Sequence, residues 1–224
     1  SAGAVNYGRK HVSYDGYKET ASLRPEHFEP DPSLVEAVGV DPARPYSLIR
    51  LVAMASSHDH GEEGLDDDTL ARVVEVLSLL GPVWISSERD LPREFADMRL
   101  SKIGSAFRHV LGGAQILVGD SQTTAAEAAI LGVPSLRLSS WSGRLPYLAE
   151  LERREMAHSF HPNERNAFLD RLRGLVARLP EERNSLEQRR SELLETTVDV
   201  TDWMVDYMYS LTDGSVMPKA EIGL

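Results

Sequence analysis

The chain alternates short apolar runs with longer segments whose apolar residues recur at helical spacing, and this regular pattern starts at Tyr46. "YSLIRLVA" (46–53), "PVWISS" (82–87), "QILVGD" (115–120) and "VPSLRL" (133–138) are brief, apolar and bounded by turn formers, which predicts buried strands. Between and after them, 66–81, 101–114, 123–132, 145–156 and 163–179 carry apolar positions one helical turn apart, several closed by glycine, which predicts helices. A short strand is expected at "MAHSF" (156–160). The segment 180–211 keeps Leu186, Leu193, Val200, Met204, Tyr207 and Leu211 near one face, so it reads as one long C-terminal helix buried along that face, with apolar surface at Trp203 and Met208 left exposed. Residues up to Pro32 show no clear period and read as an extended arm, followed by a helix at Pro32–Val38 that "GVDPARP" breaks.

Strand and helix alternating with loops of a few residues predict an α/β fold: a Rossmann-like parallel sheet with helices on both faces. The expected organisation is an arm over 1–40, the Rossmann-like domain over 41–180, and the C-terminal helix and tail over 181–224. In such sheets ligands gather at the carboxyl ends of the strands, so the residues that follow each strand are the candidates for chemistry.

Three strand ends are polar. The first is followed by Ser56-Ser57-His58-Asp59-His60-Gly61, the second by Ser87-Glu88-Arg89, and the third by Asp120-Ser121-Gln122-Thr123-Thr124. The third cluster opens an alanine-rich helix, where hydroxyls and free N–H groups suit an anion such as phosphate. Helix capping alone explains the same residues, and both readings stand on the spacing. Glu127 lies one turn further in, about 5 Å along the axis, as either a ligand acceptor or a solvent-exposed residue. Arg50 sits inside the first strand, where burial would demand a carboxylate partner or a bound anion. Arg137 lies in the fourth strand, and Trp141 in the polar loop after it.

Composition narrows the classes. The 224 residues carry a net charge of −11, which argues against a general nucleic-acid binder and requires any anion to be held by local donors. The absence of cysteine excludes disulfides, thiolate metal sites and a cysteine nucleophile, and fits a reducing cytoplasm. No apolar run is long enough for a transmembrane helix. His58 and His60 have no third histidine at matching spacing and read as solvated, so neither a metal nor another cofactor is expected. Dinucleotide, P-loop, nucleophile-elbow and zinc-protease motifs are all absent from the sequence.

The segment "GDSQTTAAEAAILGVPSL" resembles the C-terminal half of GT-B-type nucleotide-sugar proteins, among them the non-hydrolysing UDP-N-acetylglucosamine epimerases. The matching residues are Asp120, Ser121, Glu127, Ala128, Leu131, Gly132 and Pro134. Gln122 and Thr123 replace a glycine pair, which implies that the hydroxyls of Ser121, Thr123 and Thr124 take over from a backbone phosphate nest. The likeness also implies that Glu127 accepts the ribose hydroxyls. With "YDGYKETASLRPEHFEPDP", "RLVAMASSHDHGEEG" and "VWISSERDLP", nearly the whole chain is similar to the domain of unknown function 354 family, whose members resemble GT-B glycosyltransferases. That resemblance implies a C-terminal half, with 1–40 as the remnant of a junction to an N-terminal domain, and a catalytic base on that other domain.

The leading expectation is therefore a UDP-sugar-binding domain of a glycosyltransferase-like protein, incomplete as an enzyme by itself. The donor would be held by Ser57, His58, Asp59, Ser87, Glu88, Asp120, Ser121, Thr123, Thr124 and Glu127. The alternatives are an epimerase of the same fold and a non-catalytic binding or oligomerisation module. The expected partner is the donor, with a missing domain or a second copy of the chain beside it, and no nucleic acid.

Overall fold

The computed structural model describes residues 11–53, 63–101 and 103–213. Five parallel strands form one sheet: β1 (Ser47–Leu51), β2 (Val83–Ser87), β3 (Leu117–Gly119), β4 (Ser135–Leu138) and β5 (His158–Phe160), in the order β2-β1-β3-β4-β5. The chain starts in the middle of the sheet, adds β2 on one side, then returns to place β3 on the other. The order therefore reverses between β1 and β3, and a crevice opens above their carboxyl ends.

Strand alternation sorts the sheet into two faces. Ile49, Leu51, Val83, Ile85, Val118, Leu136 and Leu138 face α3 (Asp67–Leu77) and α7 (Arg165–Ala177), forming an apolar core with Leu70, Val73, Phe168 and Leu172. α3 begins where the sequence places it, because the Asp66 carboxylate accepts the Thr69 N–H at 2.8 Å and Asp67 and Asp68 sit at the positive end of the helix. The other face holds Leu48 and Leu117 under α2 (Pro32–Glu36) and α4 (Phe107–Gly113). Beside them, α5 (Gln122–Leu131) packs against α6 (Pro146–Arg153) and α8 (Leu179–Thr196).

α5 is buried from Thr124 to Ile130, and its four alanines allow neighbours to approach on every side. It ends at Gly132, whose φ of +72° is the left-handed cap that glycine adopts without strain. Part of the arm is core: Tyr17 and Leu23 are buried against α5 and α6, Leu23 at the end of a single helical turn, α1 (Thr20–Leu23).

The C-terminal segment is not one continuous helix. α8 stops at Thr196, and α9 (Val200–Asp213) restarts after Asp199, whose carboxylate accepts the N–H groups of Thr201 at 2.8 Å and Asp202 at 3.2 Å. A β-branched run, Thr196-Thr197-Val198, ahead of a capping Asp disfavours helix and then restarts it. As a result Leu186, Leu193 and Val200 are buried as expected, while Met204 and Leu211 turn to solvent with Met208. Trp203 is half-buried between the rings of Tyr14 and Tyr207, at 5.1 and 5.4 Å.

Candidate functional site

Parallel register places a polar row across the carboxyl end of the sheet. Ser86 pairs with Arg50, Arg50 with Gly119, Gly119 with Arg137, and Arg137 with Ser159, all on the face that carries α5. Two strand spacings separate the arginine stems, roughly 10 Å, and Gly119 leaves the floor between them bare. No other residue fits there, since a Cβ on Gly119 would lie 2.2 Å from the Arg50 carbonyl oxygen.

The two arginines differ in how they are satisfied. Arg50 donates to Ser86 Oγ at 2.9 Å, pairs with Glu88, and lies over the Phe107 ring at 5.4 Å. Arg137 is 2% exposed and donates Nε to Ser159 Oγ at 3.1 Å; among the described residues neither terminal nitrogen has a hydrogen-bond partner. Burial lowers its pKa, and the charges of Glu152, Tyr147 and Asp120 partly offset that effect.

Above this row starts α5. Ser121 is its N-cap in extended conformation, accepting the Thr124 N–H at 3.3 Å, and its hydroxyl meets the Thr124 hydroxyl at 2.9 Å. Arg50, Gly119, Ser121, Thr124, Ala125 and Arg137, with Leu117 and Leu136, line one closed gap that is too tight in this structure to hold even a water molecule, so an anion enters only if these side chains move. A helix N-terminus and a buried guanidinium with unused donors thus share one space, and both favour an anion.

Asp120 has a different role. It is 1% exposed, and its Oδ1 accepts the Val52 N–H at 2.8 Å, holding the exit of β1 against β3. Oδ2 lies 3.5 Å from Arg89, which also donates to the Leu65 carbonyl. Burial outweighs these contacts and pushes the Asp120 carboxyl up to about 6. Asp120 therefore braces the crevice walls.

Glu127 is buried, which removes the solvent-exposed reading. Its Oε1 accepts two bonds from Arg108 of α4, from Nε at 3.1 Å and a terminal nitrogen at 3.0 Å, and Arg108 also reaches Ser22 at 3.3 Å. Arg108 is 46% exposed, so the pair marks the rim of α5.

The remaining expected site residues scatter. Ser87 Oγ closes a local turn with Arg89, donating to its carbonyl at 2.7 Å, and Glu88 is engaged by Arg50 and the Ala53 N–H. Thr123 is exposed on the first turn of α5. Ser57, His58 and Asp59 lie outside the described residues. Asp120, Ser121, Thr124, Arg50 and Arg137 come together at the switch point, with Glu127 further along α5. Among the described residues no group of His, Asp or Glu is arranged to hold a metal, and no helix is long and apolar enough to cross a membrane. The partners Arg89 and Arg108 come from separate loops and helices, and Arg108 has no motif around it that sets it apart.

No family model matches the chain, and no curated protein matches it in sequence. Solved structures do match. The wall teichoic acid polymerase TagF, soaked with CDPG, superposes with a TM-score of 0.52 at 10% identity, over 89% of this chain and 50% of its own. The calicheamicin glycosyltransferase CalG4 superposes with a TM-score of 0.52 at 15% identity, over 79% of this chain and 44% of its own. The chain thus has the Rossmann-like fold found in GT-B glycosyltransferases and spans about half the length of the solved proteins it matches.

Proposed function

We propose that this chain is the donor-binding half of a glycosyltransferase-like protein and that it holds a nucleoside diphosphate sugar, with UDP as the first nucleotide to test. The observation that carries the reading is Arg137: a buried guanidinium whose two terminal nitrogens have no partner among the described residues, set against the gap below the N-terminus of α5. A diphosphate would accept from those nitrogens and from the free N–H groups of the first helical turn, and Ser121 and Thr124 would supply hydroxyls. Such donors stabilise the negative charge that grows on a departing diphosphate, without a metal. Glu127, held by Arg108, faces the nucleoside end and accepts ribose hydroxyls through the oxygen that Arg108 leaves free. The resemblance of the arm and of "GDSQTTAAEAAILGVP" noted in the sequence supports the same reading, and implies an acceptor site and a catalytic base on a further domain.

Calorimetry with uridine, UMP, UDP and UDP-sugars tests this. Affinity should climb with each phosphate. Ser121→Ala should weaken UDP more than uridine, and Glu127→Gln should weaken both by about 1–3 kcal/mol. No affinity for any phosphorylated ligand, with the fold intact, would leave a non-catalytic module as the better reading.

A further inference from the structure

Between the arm and α6 lies a cavity of about 300 Å³, lined by Tyr14, Tyr17, Lys18, Glu19, Tyr147 and Glu150 among others. The arm forms one wall and α6 the other. Its size is at the lower end of small-molecule sites.

Its chemistry is specific. Glu19 is 5% exposed, yet the only partner its carboxylate has among the described residues is Lys18, on Oε1, and the Lys18 side chain is 65% exposed. Oε2 receives no hydrogen bond among the described residues. On the far wall Glu150 is neutralised by Arg153 and Arg154. Burial and then Glu150 raise the Tyr17 phenol to about 12; burial and then Glu19 raise that of Tyr147. Both phenols therefore remain protonated at neutral pH. The cavity offers paired charges that cancel, aromatic ring faces, neutral hydroxyls and one spare carboxylate oxygen. An anion gains nothing there, whereas a neutral ring bearing hydroxyls can stack on a tyrosine and donate to Glu19. Tyr147 lies in the first turn of α6, the helix that follows β4, and β4 carries Arg137.

We infer that this cavity receives the glycosyl group of the donor, with Glu19 as the acceptor for its hydroxyls and Tyr17 and Tyr147 as its walls. The inference rests on the proposed function for the identity of the donor, and assigns the arm a direct role in sugar selection.

The test is calorimetry on the full chain with UDP, UDP-glucose, UDP-galactose and UDP-N-acetylglucosamine. At least one sugar nucleotide should bind about tenfold or more tightly than UDP, the effect of a charge-assisted hydrogen bond or two. Glu19→Gln should erase most of that advantage while leaving UDP within about twofold, and Tyr147→Phe, which keeps the ring, should reduce it. An advantage that is absent in the wild type, or unchanged in both variants, overturns the inference and leaves the diphosphate reading intact. Failure of the wild type to bind UDP or any sugar nucleotide overturns the proposed function instead. The cavity is then judged with methyl glucoside by the NMR signals of the Tyr17 and Tyr147 rings. Shifts that Glu19→Gln abolishes support a glycoside site, and their absence overturns it. Shifts of those rings with uridine alone would assign the cavity to the base and also overturn the inference.

Discussion

Arg50 and Arg137 flank Gly119 in register on one face of the sheet, and among the described residues only Arg50 of the two has a carboxylate partner. Arg50 is neutralised by Glu88 and fixed by Ser86, so it is part of the framework. Arg137 keeps a buried charge with unused donors, an arrangement that costs stability until an anion arrives.

Replacing Arg137 by methionine should therefore act in opposite directions on folding and binding. Arg137→Met removes a buried charge that Glu152 and Asp120 only partly offset, and is expected to stabilise the unliganded chain by about 1–3 kcal/mol in urea denaturation. The same variant should lose UDP affinity by about tenfold or more, one charged hydrogen-bonding group being removed. A variant both less stable and equally able to bind would show that the guanidinium serves packing.

Gly119→Ala should damage the sheet itself. The added methyl would meet the Arg50 carbonyl oxygen at 2.2 Å, and that oxygen accepts the Asp120 N–H at 3.1 Å. Relief requires β1 and β3 to part at the crevice. A loss of about 2–4 kcal/mol is expected, with hydrogen exchange fastest at the Asp120 amide; a neutral result would mean that the strand ends separate freely.

Asp120 makes stability depend on pH. Its folded pKa of about 6 lies above the ordinary carboxylate value of about 3.9 because burial disfavours the ionised form. The folded state thus retains a proton that the unfolded state releases. The associated stability is full below about pH 4 and is lost as pH rises through 6, reaching about 3 kcal/mol at neutral pH. Asp120→Asn keeps an oxygen for the Val52 N–H and cannot ionise. It should exceed the wild type in stability at pH 7.5 and lose that lead by pH 4, measured by urea denaturation at each pH. A constant difference across this range would contradict the assignment.

Much of the architecture was readable from the chain. Four of the strands follow directly from apolar runs between turn formers, and the start of α5 from Ser121 followed by the alanines. The site was readable only in part, for a topological reason. Nothing local to positions 50, 119 and 137 says that they align; parallel register aligns them, and that arises when distant strands pair. Arg108 was invisible for the same reason, since its significance lies in facing Glu127 from another helix. The break between α8 and α9 did have a local signal in Thr196-Thr197-Val198-Asp199, outweighed by apolar spacing that continues across it. The packed arm had none, because Tyr17 and Leu23 are buried by a fold that forms around them.

The central claim is that Arg137 and the N-terminus of α5 together hold a diphosphate. A crystal structure of the chain with UDP tests it most directly. Phosphate oxygens are expected within hydrogen-bond distance of the Arg137 terminal nitrogens and of backbone N–H groups in the first turn of α5, with the ribose toward Glu127. UDP bound elsewhere, or bound with Arg137 still unpartnered, would contradict it.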